Sequence, residues 1–237
     1  IYKRIEDFDG PLDTERRGTG GPVYVAQVSD PSPIAPAFLD ACESVGIPRF
    51  DDMNAVMMEG EGGCALANVR IRNGQRLNLP SAYLWDTLKR PNITLLTGAT
   101  MQRLTLDGTR VTGLTFTKDG EVHSVAAGTR VVLSAGAINT PKILMQSGIG
   151  PAAHLQSVGV EVRHDLPGVG QNFQDHILAA GVVFAYPDPL PPRNSAAEAT
   201  FFWKSDSALD TPDLQPFQIE VPFASEVALL MAWMPLP

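Results

Sequence analysis

The sequence predicts a mixed α/β fold of the α+β kind, with helices and strands alternating in one part and antiparallel strands running together in others. Three observations carry that prediction. First, residues 129–150 read TRVVLSAGAINTPKILMQSGIG. Val131, Val132 and Leu133 form the continuous apolar run of a strand buried on both faces of a parallel sheet. Ser134, Ala135, Gly136 and Ala137 then make a turn with almost no side-chain bulk, and a helix through Ile143, Leu144 and Met145 runs to Gly148. Second, Asp107-Gly108 and Asp119-Gly120 separate three alternating runs at 101–106, 110–116 and 121–125, the pattern of an antiparallel meander. Third, 201–204 and 214–221 read as strands of a further sheet, beyond a Pro-rich connection at 187–192.

Taken in order, 1–9 reads as the tail of a helix and 10–22 as a polar, Gly-rich loop. Gly18 to Gly21 lack the G-x-x-x-x-G-K pattern and a preceding apolar strand, so they do not make a phosphate cradle. Val23 to Val28 alternates as a short strand. A helix over 32–45 has Pro36 in its first turn and Phe38, Leu39, Cys42 and Val45 at helical spacing, with Gly46 ending it. Asp51, Asp52, Glu59 and Glu61 form an acidic stretch in which nothing makes the side chains converge on a metal, so a solvated or capping role is expected. Asn73-Gly74 sits at the tip of a hairpin over 67–79. Ser81 is the expected cap of a helix over 83–88, and 93–99 (ITLLTGA) reads as a strand. Around the central turn, Asn139 or Thr140 is the expected helix cap, with Pro141 in the first turn. A tight loop at 167–170, an apolar stretch at 177–186 and an apolar end at 228–237 follow.

Composition narrows the function classes. The chain has 237 residues and a formal charge of −8 from 18 basic and 26 acidic residues. No basic patch suggests nucleic acid, and no run of about 18 apolar residues suggests a membrane span. Two cysteines without a C-x-x-C or a nearby His read as reduced, incidental thiols. His123, His154 and His164 are isolated, so no metal site is expected. Ser134 and Ser147 lack G-x-S-x-G, which argues against a nucleophile elbow. Trp85, Trp203, Trp233, Phe201, Phe202 and Phe223 either line an apolar pocket or are plain core. In an open α/β sheet, ligands sit at the carboxyl ends of strands, and helix N-termini there favour anions. The Ala135-Gly136 turn therefore suits close ligand approach, although an ordinary α/β turn fits the pattern equally.

The order of motifs is more specific than any one of them. Ser134-Ala135-Gly136-Ala137, Thr140-Pro141, Ser147-Gly148-Ile149-Gly150-Pro151, Leu166-Pro167-Gly168-Val169-Gly170, Asn172 and Asp175-His176 follow one another at a spacing that resembles the glucose–methanol–choline (GMC) family of flavin oxidoreductases. Tyr2 to Gly10, Gly20-Gly21-Pro22, Asp51 to Asn54 and Ser81 to Ala99 resemble it too, so the likeness covers about the first 180 residues. The chain opens inside an element, at Ile1, and reads as an internal fragment. Its compartment is left open, with the cytoplasm favoured.

The resemblance implies part of an FAD-binding Rossmann-like domain interrupted by the antiparallel meander, plus part of an antiparallel-sheet substrate-binding domain. The expected division is 1–80 as a substrate-domain or lid portion, 81–165 as the FAD-binding portion and 166–237 as the start of the substrate domain. It implies hydride transfer from an alcohol CH–OH group to FAD, a small-molecule alcohol as substrate, and an unspecified electron acceptor. A hydroxynitrile lyase of the same family, or a non-catalytic remnant, are the alternatives. The family's G-x-G-x-x-G loop and its catalytic His have no counterpart in this sequence, so no catalytic residue is assigned and the chain alone is expected to be inactive. By the same resemblance, Met101 holds the position, usually Val, whose backbone meets the adenine edge; it is also a strand core residue. Ala135 and Gly136 let the ADP half of the cofactor approach. Asp175 and His176 either bind the cofactor or bond only the loop backbone, the latter favoured.

Overall fold

A computed structural model describes residues 1–11, 13–54, 56–178, 183–184 and 190–221. Phe223, Trp233, the apolar end at 228–237 and much of 177–192 lie outside the described residues. In chain order the elements are α1 (Tyr2–Ile5), β1 (Glu6–Asp9), β2 (Val23–Gln27), α2 (Ile34–Ser44), β3 (Gly62–Leu66), β4 (Asn68–Val69), β5 (Ile71–Arg72), β6 (Gln75–Arg76), α3 (Leu79–Tyr83), β7 (Thr100–Asp107), β8 (Arg110–Lys118), β9 (Glu121–Ala126), α4 (Gly136–Gln146), β10 (Ile149–Gly150), α5 (Ala152–Ser157), β11 (His164–Asp165), β12 (Ala197–Trp203) and β13 (Phe217–Ile219). The chain divides into two compact units, Ile1–Ile93 with Ala179–Pro237, and Thr94–Leu178. The mixed α/β class is the one the sequence predicts.

In the first unit, β1 runs parallel to β2 and β2 antiparallel to β4. The expected helix over 1–9 is therefore only one turn long. Pairing with β2 captures Glu6 to Asp9 as a strand, because Phe8 gains a buried place beneath the Arg17 guanidinium, whose Cζ lies 3.8 Å from the ring centroid. The Gly-rich loop folds back on this strand. Gly18 N–H donates to Glu6 Oε2 and Gly20 N–H to Asp7 Oδ1, both at 2.9 Å. The amides of a would-be phosphate cradle are thus taken by the chain's own carboxylates.

The acidic stretch proves to be more than solvated. Asp52 is buried in an ion pair with Arg17, with Nε to Oδ2 and Nη2 to Oδ1 both 2.7 Å, while its Oδ1 also accepts the Asn54 N–H at 3.1 Å. Glu59 takes a two-pronged bond from Arg16, which holds its carboxyl below the usual range. Glu61 pairs with Lys204 at 2.8 Å.

The second sheet of this unit has the order β13-β12-β3, all antiparallel. Alternate residues of β12 face opposite sides, as a strand requires. Ala199 and Cys64 pack beneath α2 with Ala35, Leu39, Cys42 and Ile47, and Phe38 stacks on Phe201 with centroids 6.0 Å apart. Phe202 and Ala65 pack on the other side with Met57, Phe50 and Met53. Trp85 is exposed and Trp203 marginally so. Burial pushes the Cys42 thiol up, and Cys64, fully enclosed, is pushed up to about 11. The folded state holds those protons after the unfolded chain has lost them, so stability present below about pH 8.5 is lost as pH rises toward 11. At roughly 1.4 kcal/mol per pKa unit, urea melts in reductant at pH 7.5 and 10.5 should show a larger alkaline loss for the wild type than for Cys64→Ala.

Hairpin β5–β6 turns at Asn73 (φ 52) and Gly74 (φ 71), the type I′ geometry predicted for that dipeptide. The helix that follows begins earlier than expected. Asn78 is its cap, with Oδ1 accepting the Ser81 N–H at 2.9 Å. Ser81 sits inside the first turn and donates to Asn78 O at 2.7 Å. Either side chain can satisfy a first-turn group, and Pro80 favours the earlier start.

In the second unit, β7, β8 and β9 form the expected meander, with Asp119 (φ 53) and Gly120 (φ 83) making a second type I′ turn. α4 packs against β7. Ser147 ties them, donating to Ile143 O at 2.6 Å and accepting the Leu104 N–H at 2.8 Å. Two expected strands are not strands. Residues 93–99 and 131–133 pair with no strand among the described residues, Gly98 has φ +66, and Val132 is 74% exposed. An apolar extended run becomes a strand only when a neighbour takes its backbone hydrogen bonds, and none of the described strands does.

Candidate cofactor site

The predicted cofactor residues all belong to the second unit. The bend after 131–133 is exposed from Ser134 to Ala137. Gly136 has φ +84, the left-handed region that a side chain makes costly. A Cβ there would meet nothing within 4 Å. Glycine is demanded by the backbone twist rather than by crowding, and it leaves main chain open on one side.

α4 starts at this glycine, earlier than Asn139 or Thr140 would have placed it. Its N-cap, Ala135, has no side-chain bond to offer. Thr140 acts from inside the helix instead, its Oγ1 accepting the Ala135 N–H at 3.0 Å. Pro141 lies inside the helix rather than in its first turn. The amides of Gly136, Ala137 and Ile138 thus point out of the helix start without side-chain partners among the described residues, at the positive end of the helix dipole.

Met101 is half-buried on β7 opposite Phe116, next to a bulge before Arg103. β7 is an edge strand of its sheet, so part of its backbone faces away from β8. Packing of α4 on β7 therefore links the strand of Met101 to the helix of Ala135 and Gly136. Asp175 and His176 are exposed and outside any helix or strand, and Asp175 Oδ1 accepts the His176 N–H at 2.8 Å. No hydrogen bond joins them to α4 or β7 among the described residues.

The remaining motif residues shape this region. Gly148 (φ +82) ends α4, where a Cβ would lie 2.5 Å from Glu161 O. A Cβ on Gly150 would lie 2.9 Å from Met145 Cγ. Asp165 Oδ1 accepts the Ala152 N–H at 2.9 Å and opens α5. Ser147 is occupied structurally, and His123 stacks on Phe116 at 5.3 Å between centroids.

Sequence reasoning missed the buried polar groups of the first unit. Arg17 joins Asp52, Glu6 at 2.6 Å and Asn68. Glu198 is fully buried, accepting the Ser32 N–H at 2.6 Å and a bond from Asn194 Nδ2. Arg17 with Asp52, and Ser32 with Glu198, are so far apart in sequence that they leave no local signal.

The GMC oxidoreductase family matches residues 1–178. Choline oxidase of Arthrobacter globiformis is 38% identical over 234 residues, 94% of this chain and 41% of that protein. Oxygen-dependent choline dehydrogenase of Staphylococcus saprophyticus is 40% identical over 177 residues, 74% of this chain and 31% of that protein. Among solved structures, pyridoxine 4-oxidase from Mesorbium loti superposes with a TM-score of 0.85 at 34% identity, covering 100% of this chain and 45% of that one. The chain thus spans less than half the length of these relatives, and its likeness to two of them runs well past the motif-rich first 180 residues. On the match over residues 1–178 and the structural agreement across the whole chain, this protein belongs to the GMC oxidoreductase family.

Proposed function

We propose that the full-length protein is an FAD-dependent alcohol oxidoreductase and that this chain supplies part of the cofactor wall and part of the substrate domain. The observation that carries this is the bare left-handed bend at Gly136, where amides without side-chain partners among the described residues open α4, a helix that packs on an edge strand. Such a bend suits the anionic, bulky ADP half of a dinucleotide. Ala135 and Gly136 admit it, and the Met101 backbone on β7 meets the adenine edge. The Asp175–His176 hydrogen bond supports a loop-bracing role for Asp175. Bound flavin supplies a hydride acceptor for the alcohol carbon. The residues of this chain bind and orient; none is assigned a proton transfer.

Thr94–Leu178 is the cofactor-facing portion in this proposal, and the sheets of the other unit belong to the substrate side. A choline-like alcohol is the substrate to test first, because a choline oxidase and choline dehydrogenases stand at 38% to 40% identity. Those relatives also favour an oxidoreductase over a lyase.

In the full-length protein, Gly136→Val should lower flavin content severalfold without loss of far-UV circular dichroism. A branched side chain at φ +84 adds strain of roughly 1–2 kcal/mol and fills the approach. Unchanged flavin content would remove the bend from the site. The 237-residue chain by itself should purify colourless, since its sequence contains no G-x-G-x-x-G. A yellow, stoichiometric species bleached by alcohol would overturn that expectation.

A further inference from the structure

Cys42 and Cys64 are the two cysteines of the sequence. Cys42 lies on α2 and Cys64 on β3, 5% and 0% exposed, in the core between helix and sheet. The contact is lined by small residues, Ala35 and Ala199, which let the helix come close to the strand. Cys64 Sγ lies 3.9 Å from the carbonyls of Leu39 and Ile47. Leu39 is one turn before Cys42 on the same helix face, and the Ile47 N–H bonds Cys42 O at 3.0 Å, so Cys64 points at the turn that carries Cys42. The two thiols are close enough to perturb each other's protonation, Cys42 adding to burial in raising the Cys64 thiol.

We infer that Cys42 and Cys64 form a reversible intramolecular disulfide when the protein meets a two-electron oxidant of the peroxide class, latching α2 to β3. One thiolate attacks a peroxide oxygen and breaks the O–O bond, giving a sulfenic acid and hydroxide, which takes up a proton as water. The second sulfur attacks the sulfenic sulfur, the S–S bond forms, and the oxygen leaves as a second water. Two thiols are oxidised and one peroxide is reduced, so the electrons balance. Burial keeps both sulfurs protonated at neutral pH, so the pair rests as a dithiol and oxidises only when the helix lifts from the sheet. Closure ties two elements separated by a loop that contains Arg49.

Arg49 also makes the test direct. Trypsin cleaves after Arg49 and Arg70 and separates the two cysteines onto different peptides. The full 237-residue chain is exposed to hydrogen peroxide, unfolded, alkylated and digested without reductant. The expected product is one cross-linked peptide pair, with both thiols lost to alkylation and recovered after dithiothreitol. Its rate should rise severalfold in sub-denaturing urea and with alkaline pH. Cys42→Ala and Cys64→Ala should each abolish the cross-link while remaining monomeric on a non-reducing gel. Recovery of two alkylated thiols, of sulfinic acid, or of disulfide-linked dimers alone would each overturn the inference.

Discussion

Arg17→Met should lower the unfolding free energy of the chain by about 3–5 kcal/mol, the range for breaking a buried ion pair from one side. The Arg17 side chain is 1% exposed and contacts Asp52 and Glu6, themselves largely enclosed. Methionine can keep the packing over Phe8, but it leaves two carboxylates without the cation that compensates their lost water. A partial rescue should follow from the double variant Arg17→Met, Asp52→Asn, because one of the stranded charges is then gone. Arg49 provides the control. Its pairs with Asp40 and Glu43 lie at the surface, where an ion pair is worth about 1 kcal/mol at most. Urea midpoints of the variants decide the matter: an Arg17→Met loss no greater than that of Arg49→Met would mean the cluster is not what holds this unit together.

Gly62→Ala should be of similar size, through a different mechanism. Gly62 opens β3 with φ +104, and a Cβ there would lie 2.1 Å from Phe202 O and 2.8 Å from Phe202 C. Both are backbone atoms of the partner strand, paired in register through Gly63↔Phe202 and Gly62↔Trp203. Neither can move without opening the ladder. Overpacking against main chain combined with a left-handed alanine costs on the order of 4 kcal/mol, a fall in Tm of about 10 °C for a chain this size. Gly60→Ala, where a Cβ meets nothing within 4 Å, should change Tm by no more than about 2 °C. Equal melting temperatures for the two variants would show that β3 and β12 separate more easily than their geometry implies.

Several elements were legible because their cause is local. Asn73-Gly74 and Asp119-Gly120 specify their turns through positive φ, which two adjacent residues settle between themselves. α2 was legible from helical spacing, with Leu39 and Cys42 buried as expected alongside Ala35, whereas Val45, expected on the same face, lies past the last turn and is 75% exposed. The Ala135-Gly136 bend was legible as a bare approach to backbone, and the motif order around it pointed to the family that the comparisons establish. Other elements were not legible because their cause is distant. Glu6 to Asp9 looks helical until β2 arrives beside it. Residues 93–99 and 131–133 have strand composition but lack strand neighbours among the described residues. Caps slipped at Ser81 and Thr140, where neighbouring polar side chains compete for the same amides.

By itself the sequence determined the turns, the helix faces and the family, since each depends on residues close together or on a fixed order of short motifs. Only the tertiary structure decided that a Gly-rich loop is filled by Glu6 and Asp7, that Arg17 is a buried clamp, and that Glu198 reaches back to Ser32. Those outcomes depend on which charges are taken out of water together, and desolvation is a property of the packed chain rather than of any stretch within it.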